Sequence, residues 1–168
     1  MEKKSVSAFF EEFLVRESLF TDRSVLLSSF MPENILHRDK EVNQIVNILA
    51  PALKHEKPSN LFVYGNTGTG KTLTIKHITD NMAKIALERK IPLKIIYANC
   101  KLKRIADTEY RLIAQLSSFF GRNIPATGLP TDEVYKIFYD SVEKENSTIL
   151  LVLDEIDQLI KKTGDNVL

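Results

Sequence analysis

The stretch Gly65-Asn66-Thr67-Gly68-Thr69-Gly70-Lys71-Thr72 decides the fold. It fits the pattern G-x-x-x-x-G-K-[ST] of a phosphate-binding loop (P-loop) at every fixed position. Its glycines let the backbone curl so that several N–H groups face one phosphate, and a helix that begins near Lys71 adds its positive dipole end. Lys71 offers a mobile charge to the outer phosphates, and the Thr72 hydroxyl is a hard oxygen ligand for Mg²⁺. The loop therefore predicts a site for nucleotide phosphates and Mg²⁺.

The residues around the P-loop alternate between strand and helix patterns. Residues 61–64 form a short apolar and aromatic run before the loop, which predicts a buried strand, and residues 71–88 have helical periodicity. Two further apolar runs, 93–98 and 149–153, predict strands, and the continuous aliphatic content of the second predicts burial on both faces. Because strands alternate with helices, the sequence predicts an α/β fold with a parallel sheet and flanking helices.

Helical periodicity also predicts elements outside these units. Apolar residues at three- and four-residue spacing over 6–14 predict an amphipathic helix, for which a packing arm is favoured over a partner-binding role. A second helix is expected to begin with Asp39 as its N-cap, and a third covers 105–120 with Gly121 as its C-cap. Thr131 opens a further helix that has acidic residues in its first turn.

A second chemical motif follows the third predicted strand, where the run ends in Asp154 and Glu155. Apolar residues followed by Asp-Glu form the Walker B pattern, in which the strand brings its terminal carboxylate beside the phosphates. Asp154 can then serve the Mg²⁺ shell, and Glu155 can orient the attacking water, a role worth about 10²–10⁴-fold in rate. Many buried strands end in acidic residues. The pattern indicates a Walker B motif here because it follows a P-loop.

Composition limits the class of protein. The chain has 168 residues, 43% of them hydrophobic, which is typical of one folded domain rather than a disordered chain or a coiled coil. Its net charge of +1 gives no composition-level indication of nucleic-acid or membrane binding. Cys100 is the single cysteine, which excludes an intrachain disulfide and indicates a reducing, cytoplasmic setting. No apolar run is long enough for a membrane helix.

The two motifs together resemble those of AAA+ ATPases. The segments around them resemble the archaeal DNA replication initiators that are related to eukaryotic origin recognition complex and cell-division-control proteins. The resemblance covers the chain from about Phe20 onward. It is carried by Pro32-Glu33-Asn34-Ile35-Leu36-His37-Arg38-Asp39, Val63-Tyr64-Gly65, Asp107-Thr108-Glu109-Tyr110-Arg111, Thr127-Gly128-Leu129-Pro130, Glu133-Val134-Tyr135 and Val152-Leu153-Asp154-Glu155-Ile156-Asp157.

The resemblance implies a nucleotide cofactor and DNA as a partner. It implies ATP or ADP with Mg²⁺, and it places the stretch Ile35-Leu36-His37-Arg38 against adenine and ribose, although spacing alone favours an ordinary helix entry. The region 101–128 matches an insertion that contacts origin DNA in the family. Lys101, Lys103 and Arg104 could touch DNA phosphates there, although such a basic cluster is more commonly a solvated surface. Other initiator subunits are further implied partners, and a nucleoid association follows if DNA is bound.

The resemblance also implies parts that these residues do not match. The family continues through a sensor 1 strand, an arginine finger, a helical lid and a winged-helix domain, whereas no Arg follows Arg122. Residues 39–168 therefore match a partial AAA+ domain, truncated after the Walker B strand, and 1–38 match a lead-in that packs on the nucleotide site. The family's strand order 5-1-4-3-2 puts the sensor 1 strand between the first and third strands. We expect either a fragment, or a sheet in which those two strands pair directly.

Two alternatives from other classes remain open. The chain could be a non-catalytic interaction module that pairs with full-length initiators, or a small P-loop kinase. A kinase requires an acceptor site and an arginine-rich lid, and the arginines of this sequence are scattered. Under the initiator interpretation, hydrolysis by these residues alone is expected to be slow or absent, because the arginines that stabilise transition-state charge are not encoded.

Overall fold

The computed structural model describes residues 5–16, 20–27, 30–32, 34–101, 108–125 and 127–163. These residues fall into two units that divide between Asn34 and Ile35. The helices are α1 Val6–Val15, α2 Asp39–Leu49, α3 Lys71–Glu88, α4 Glu109–Ser118, α5 Thr131–Glu143 and α6 Ile156–Thr163. The strands are β1 Leu93–Asn99 and β2 Thr148–Asp154, and 3₁₀ turns cover Ser24–Leu26 and Ala50–Lys54.

The first unit contains the predicted amphipathic helix α1. The Ser5 side chain caps it by accepting a hydrogen bond from the Ala8 N–H at 3.3 Å, which satisfies one of the free donors of the first turn. None of the ten residues of α1 is buried. Its role as a packing arm stays a prediction.

The second unit is built on a parallel pair of strands. The register runs from Leu93 opposite Thr148 to Asn99 opposite Asp154. Both strands lie within one residue of their predicted ends, and the helix α3 covers the predicted 71–88. Since the strands are parallel and in register, their carboxyl ends meet at one edge of the sheet, where Asn99 and Asp154 are neighbours.

Alternate residues of β1 belong to different layers. Ile96 and Ala98 pack in a buried cluster with residues of α4, α5 and α6, including Leu116, Val134 and Leu159. The residues Leu93 and Ile95 instead pack against a second cluster, which consists of Ile45, Leu49, Ala52, Ile78 and Met82 of the α2–α3 side. Because successive strand residues face opposite sides of a sheet, β1 positions of odd number face α3.

The prediction of a buried strand over 61–64 is wrong. These residues form no strand, and Phe62 and Tyr64 are 70% and 82% exposed. Of this segment, Leu61 alone packs against a core cluster, the one on the α2–α3 side. A strand requires a partner ladder for its N–H and C=O groups, and the described part of the chain places none beside this segment.

One of the two expected arrangements is not present, and the other, a fragment, stays a prediction. The first and third predicted strands do not pair directly, because the third, β2, pairs with β1 instead. The prediction that β2 is buried on both faces is wrong, because Leu151 is 40% exposed. Only β1 pairs with β2 among the described residues, so the other edge of β2 is left without a neighbouring strand.

Several helix ends differ from the prediction. The helix predicted over 105–120 is α4, which begins at Glu109, and residues 105–107 of that prediction lie outside the described residues. Arg38 is the N-cap of α2, and Asp39 is its first helical residue. There the negative charge of Asp39 interacts favourably with the positive end of the helix dipole. Phe119, not Gly121, is the C-cap of α4. Gly121 lies two residues later at φ 76°, and its N–H donates to the Ser118 carbonyl at 3.0 Å. None of the described helices is long and apolar enough to cross a membrane.

Candidate functional site

The P-loop, residues 65–72, runs into the first turn of α3, which begins at Lys71. Gly68 has φ 78° and Gly70 has φ 84°, both in the left-handed region, and Gly70 is the N-cap of the helix. A Cβ added at either position would meet no atom within 4 Å. The loop therefore needs glycine at these two positions for backbone conformation rather than for space.

Lys71 folds its side chain back over the loop. Its ammonium donates to the Gly65 carbonyl at 2.9 Å and to the Asn66 carbonyl at 2.8 Å. Neutral carbonyls are weaker partners for an ammonium than an oxyanion is. The N-terminus of α3 adds its unpaired N–H groups and positive dipole end at the same place. This end of the helix is suited to an anion.

The two predicted motifs meet through Thr72 and Asp154. The Thr72 hydroxyl lies 3.0 Å from Oδ2 and 3.2 Å from Oδ1 of Asp154. Thr72 belongs to the first turn of α3, and Asp154 is the last residue of β2, so the contact joins the P-loop to the carboxyl edge of the sheet.

Two residues of β1 that the sequence did not single out also contact Asp154. The Tyr97 hydroxyl donates to Asp154 Oδ2, and the Asn99 side-chain amide lies 3.3 Å from the same oxygen. Burial, and then the hydrogen bond to Asp154, raises the pKa of Tyr97, so the phenol stays protonated and able to donate. The sequence shows two polar residues, two positions apart, at the end of an apolar strand, but this pattern does not identify Asp154 as their partner.

Glu155 adopts a left-handed backbone between β2 and α6. Its φ is 57°, a region that costs a residue with a side chain about 1–3 kcal/mol, and such strain clusters at functional sites. Its N–H donates to Asp154 Oδ1 at 3.1 Å, and its carbonyl accepts from the Gln158 N–H at 2.9 Å. The sharp turn therefore lies at the carboxyl edge of the sheet, directly after Asp154.

The segment 35–38 is tied to the P-loop through Arg38. The Arg38 guanidinium donates to the Thr69 carbonyl at 2.7 Å and to the Glu41 carboxylate at 2.9 Å. Next to it, His37 takes a left-handed φ of 59°, and Leu36 is 76% exposed. Ile35 is half-buried. Of this stretch, the side chain of Arg38 is the one seen in hydrogen-bond contact with the loop.

The donor set suits one kind of metal ion. The described residues hold no group of three or more His, Cys, Asp or Glu side chains that could cage a metal. Thr72 and Asp154 supply two hard oxygen ligands, which fits Mg²⁺, because this ion keeps several waters and completes its shell with substrate phosphates. The residues present therefore fit a nucleotide-bound Mg²⁺ rather than a permanent metal.

The predicted DNA-contacting residues are only partly described. Lys103 and Arg104 lie outside the described residues. Lys101 is exposed, and its backbone N–H donates to the Asn99 side-chain oxygen at 2.9 Å. Cys100, next to it, is buried, and burial raises the pKa of its thiol to about 11, so the thiolate that would react is scarce at neutral pH.

Known proteins resemble the chain in sequence and fold. A sequence profile of the family described as "AAA domain" matches residues 54–168. An ORC1-type DNA replication protein of Thermococcus kodakarensis is 41% identical over 172 residues, which span 100% of this chain and 41% of that protein. The chain thus spans less than half the length of this relative.

Two solved structures are similar in fold. The Aeropyrum pernix ORC1 protein in complex with DNA has a TM-score of 0.79 and 35% identity, over 86% of this chain and 37% of that one. The Aeropyrum pernix ORC2 protein, solved as ADPNP-ADP complexes, has a TM-score of 0.64 and 24% identity, over 85% and 37%. The fold is that of an AAA+ P-loop NTPase. The chain belongs to the AAA domain family, and its relatives are archaeal ORC1-type DNA replication proteins.

Proposed function

We propose that the chain binds ATP with Mg²⁺, with the nucleotide phosphates in the P-loop and the metal ion between Thr72 and Asp154. The observation that carries this proposal is the contact of the Thr72 hydroxyl with both carboxylate oxygens, at 3.0 and 3.2 Å. It brings the hard oxygen ligands of both motifs to the positive end of α3.

Each part of the loop has a distinct task in this proposal. Backbone N–H groups of 65–70 and the free N–H groups of the first turn of α3 bind the phosphate oxygens. The Lys71 ammonium leaves the carbonyls of Gly65 and Asn66 and binds the outer phosphates, which are the stronger partners. Mg²⁺, when bound, neutralises phosphate charge. Thr72 and Asp154 are the residues that would hold the ion beside the loop.

The base and ribose are assigned to the segment 35–38. The bond from Arg38 to the Thr69 carbonyl ties this segment to the P-loop, and this contact supports its assignment to the nucleoside of a nucleotide whose phosphates bind the loop. Leu36 offers an exposed apolar side chain for the face of adenine. Ile35 and His37 complete the proposed base-binding stretch.

Glu155 is assigned to the attacking water. Glu155 directly follows Asp154 in the sequence. A carboxylate at this position can orient or partly deprotonate a water molecule next to the phosphates. The 168 residues supply no arginine after Arg122 that could stabilise the developing charge. We therefore expect this chain by itself to bind ATP and to hydrolyse it slowly.

The biological role follows from the relatives. We assign the chain to DNA replication, as part of an ATP-binding initiator that recognises origins, because the relative from Thermococcus kodakarensis is named for DNA replication. The similar Aeropyrum pernix ORC1 structure is a complex with DNA. On this basis origin DNA is the proposed partner of the region 101–128, with other initiator subunits as further partners. A cytoplasmic protein associated with the nucleoid fits this role.

A thermal-shift measurement tests nucleotide binding. At about 100 times Kd, ATP with Mg²⁺ should stabilise the folded chain by about 2.7 kcal/mol, which corresponds to roughly 5–10 °C in Tm for a chain of this size. Lys71→Ala should remove most of the shift. Lys84→Ala is the matched control, because it deletes an exposed lysine further along the same helix. Equal shifts in both variants, or no shift in the unaltered chain, would overturn the proposal.

A further inference from the structure

The Asp154 carboxylate receives donors from three parts of the fold. The Thr72 hydroxyl from α3 meets both oxygens, and the Glu155 N–H donates to Oδ1 at 3.1 Å. The other two donors come from β1, where the Tyr97 hydroxyl and the Asn99 amide both meet Oδ2. The strand next to β2 therefore contributes as many donors to this carboxylate as the P-loop and the turn do.

The Tyr97 ring also contacts α3, through the side chain of Lys76. The ammonium of Lys76 lies 4.7 Å from the centroid of the ring, within the range of an attractive cation–π contact. Lys76 lies about one turn after Thr72 on the same helix. Tyr97 is thus held between a helix that carries one proposed Mg²⁺ ligand and a carboxylate that is the other.

The distribution of donors makes the two oxygens of Asp154 unequal. An ionised carboxylate accepts about four hydrogen bonds, two at each oxygen. Oδ2 is filled by Tyr97, Asn99 and the nearer contact of Thr72, whereas Oδ1 has the Glu155 N–H and the longer Thr72 contact. When Thr72 gives its hydroxyl oxygen to Mg²⁺, as proposed above, its contacts with Asp154 are released. Oδ2 then stays filled by the Tyr97 and Asn99 donors, whereas Oδ1 keeps the Glu155 N–H and has one position for Mg²⁺ or for a water of its shell.

We propose that Tyr97, assisted by Asn99, is a positioning residue that holds Oδ2 of Asp154 and leaves Oδ1 for the Mg²⁺ of the bound nucleotide. This role rests on the proposed function. Without the Tyr97 hydroxyl, Oδ2 keeps from β1 only the long amide contact of Asn99, so the carboxylate is held less firmly in its Mg²⁺-binding orientation. A purely electrostatic effect has the opposite sign, because removing a donor leaves more negative charge on the carboxylate and strengthens its attraction for Mg²⁺.

The test compares the ATP affinity of the 168-residue chain in Mg²⁺ with its affinity in EDTA, by calorimetry. Tyr97→Phe should reduce the ratio of the two affinities about tenfold, the effect of losing one hydrogen bond to a charged group, and leave the affinity in EDTA within about twofold. Asn99→Ala should reduce the ratio in the same direction, by less. Tyr135→Phe is the matched control, because it removes a tyrosine hydroxyl from another carboxylate, that of Glu109, in the α4–α5 layer.

The outcomes separate this role from the proposed function. If the unaltered chain binds ATP but Tyr97→Phe and Asn99→Ala keep its Mg²⁺ dependence, the positioning role is wrong and nucleotide binding stands. An increased Mg²⁺ dependence in Tyr97→Phe, or an equal loss of affinity in EDTA, also overturns the role. If the unaltered chain binds no ATP in either buffer, the proposed function fails and this inference fails with it. Should Tyr97→Phe not fold, Asn99→Ala decides.

Discussion

The Thr72 hydroxyl and the Asp154 carboxylate lie 3.0 Å apart although 82 residues separate them in the chain. The helix α3 brings one and the strand β2 brings the other, and β1 lies between them in sequence. This contact joins the loop that we assign to phosphates to the carboxylate that we assign to Mg²⁺.

The Arg38 guanidinium is expected to support nucleotide binding without involving Mg²⁺. Arg38→Ala removes its 2.7 Å bond to the Thr69 carbonyl, so the loop loses a contact that holds its backbone. We expect the ATP affinity to fall about 5–20-fold, by the same factor in Mg²⁺ and in EDTA. Calorimetric titration in the two buffers measures both factors.

Glu41→Gln is the control for Arg38. It removes the exposed ion pair of Arg38 and leaves the bond to Thr69, and an exposed pair is worth only about 0–1 kcal/mol. Its affinity should therefore stay close to that of the unaltered chain. Equal losses in Arg38→Ala and Glu41→Gln would show that the ion pair, not the loop contact, matters.

The exposed aromatic residues of 61–64 should promote self-association. Phe62 and Tyr64 stack on each other with ring centroids 6.0 Å apart, and each is more than two-thirds exposed. Neighbouring exposed apolar side chains favour association. Phe62→Ser should therefore shift sedimentation of the purified chain towards the monomer.

A matched control separates this segment from general surface hydrophobicity. Leu87→Ser removes an equally exposed apolar side chain, 82% accessible, near the end of α3. It should leave the sedimentation behaviour unchanged. A monomer at all concentrations for the unaltered chain, or the same shift in both variants, would contradict the prediction.

The fate of residues 61–64 shows where sequence reasoning fails. Their apolar and aromatic character predicts a strand, and the prediction is wrong because a strand depends on a neighbouring ladder that local sequence does not encode. The helix α3 was predicted over its full range, because the P-loop fixes its start and its periodicity depends on local spacing alone. Strands β1 and β2 were predicted within one residue for a similar reason, since apolar runs mark their limits.

The site residues likewise divide into those that the sequence could identify and those that it could not. Thr72 and Asp154 could be named from their motifs, because the chemistry of phosphates and Mg²⁺ demands those residue types. Tyr97 and Asn99 could not, because their contact with Asp154 depends on the register in which Asn99 lies opposite Asp154. That register is set by the packing of whole strands, and one step of slippage would turn both side chains to the other face.

Slow turnover is expected from these 168 residues. With no arginine after Arg122 to stabilise transition-state charge, the rate of phosphate release should lie far below the roughly 1–10³ s⁻¹ of typical enzymes. Glu155→Gln should reduce whatever rate is present and leave ATP affinity intact. Fast release that Glu155→Gln abolishes would contradict this expectation.

The most direct test of a single site built from both motifs is a double-mutant cycle on Thr72 and Asp154. The measured quantity is the ATP affinity in saturating Mg²⁺ for the unaltered chain, Thr72→Ala, Asp154→Ala and the double variant. We predict that each single change weakens binding, and that the double variant is little weaker than either, with a coupling of about 1–3 kcal/mol. Losses that add fully, or single variants with unaltered affinity, would contradict the claim that these two residues hold one Mg²⁺–nucleotide site.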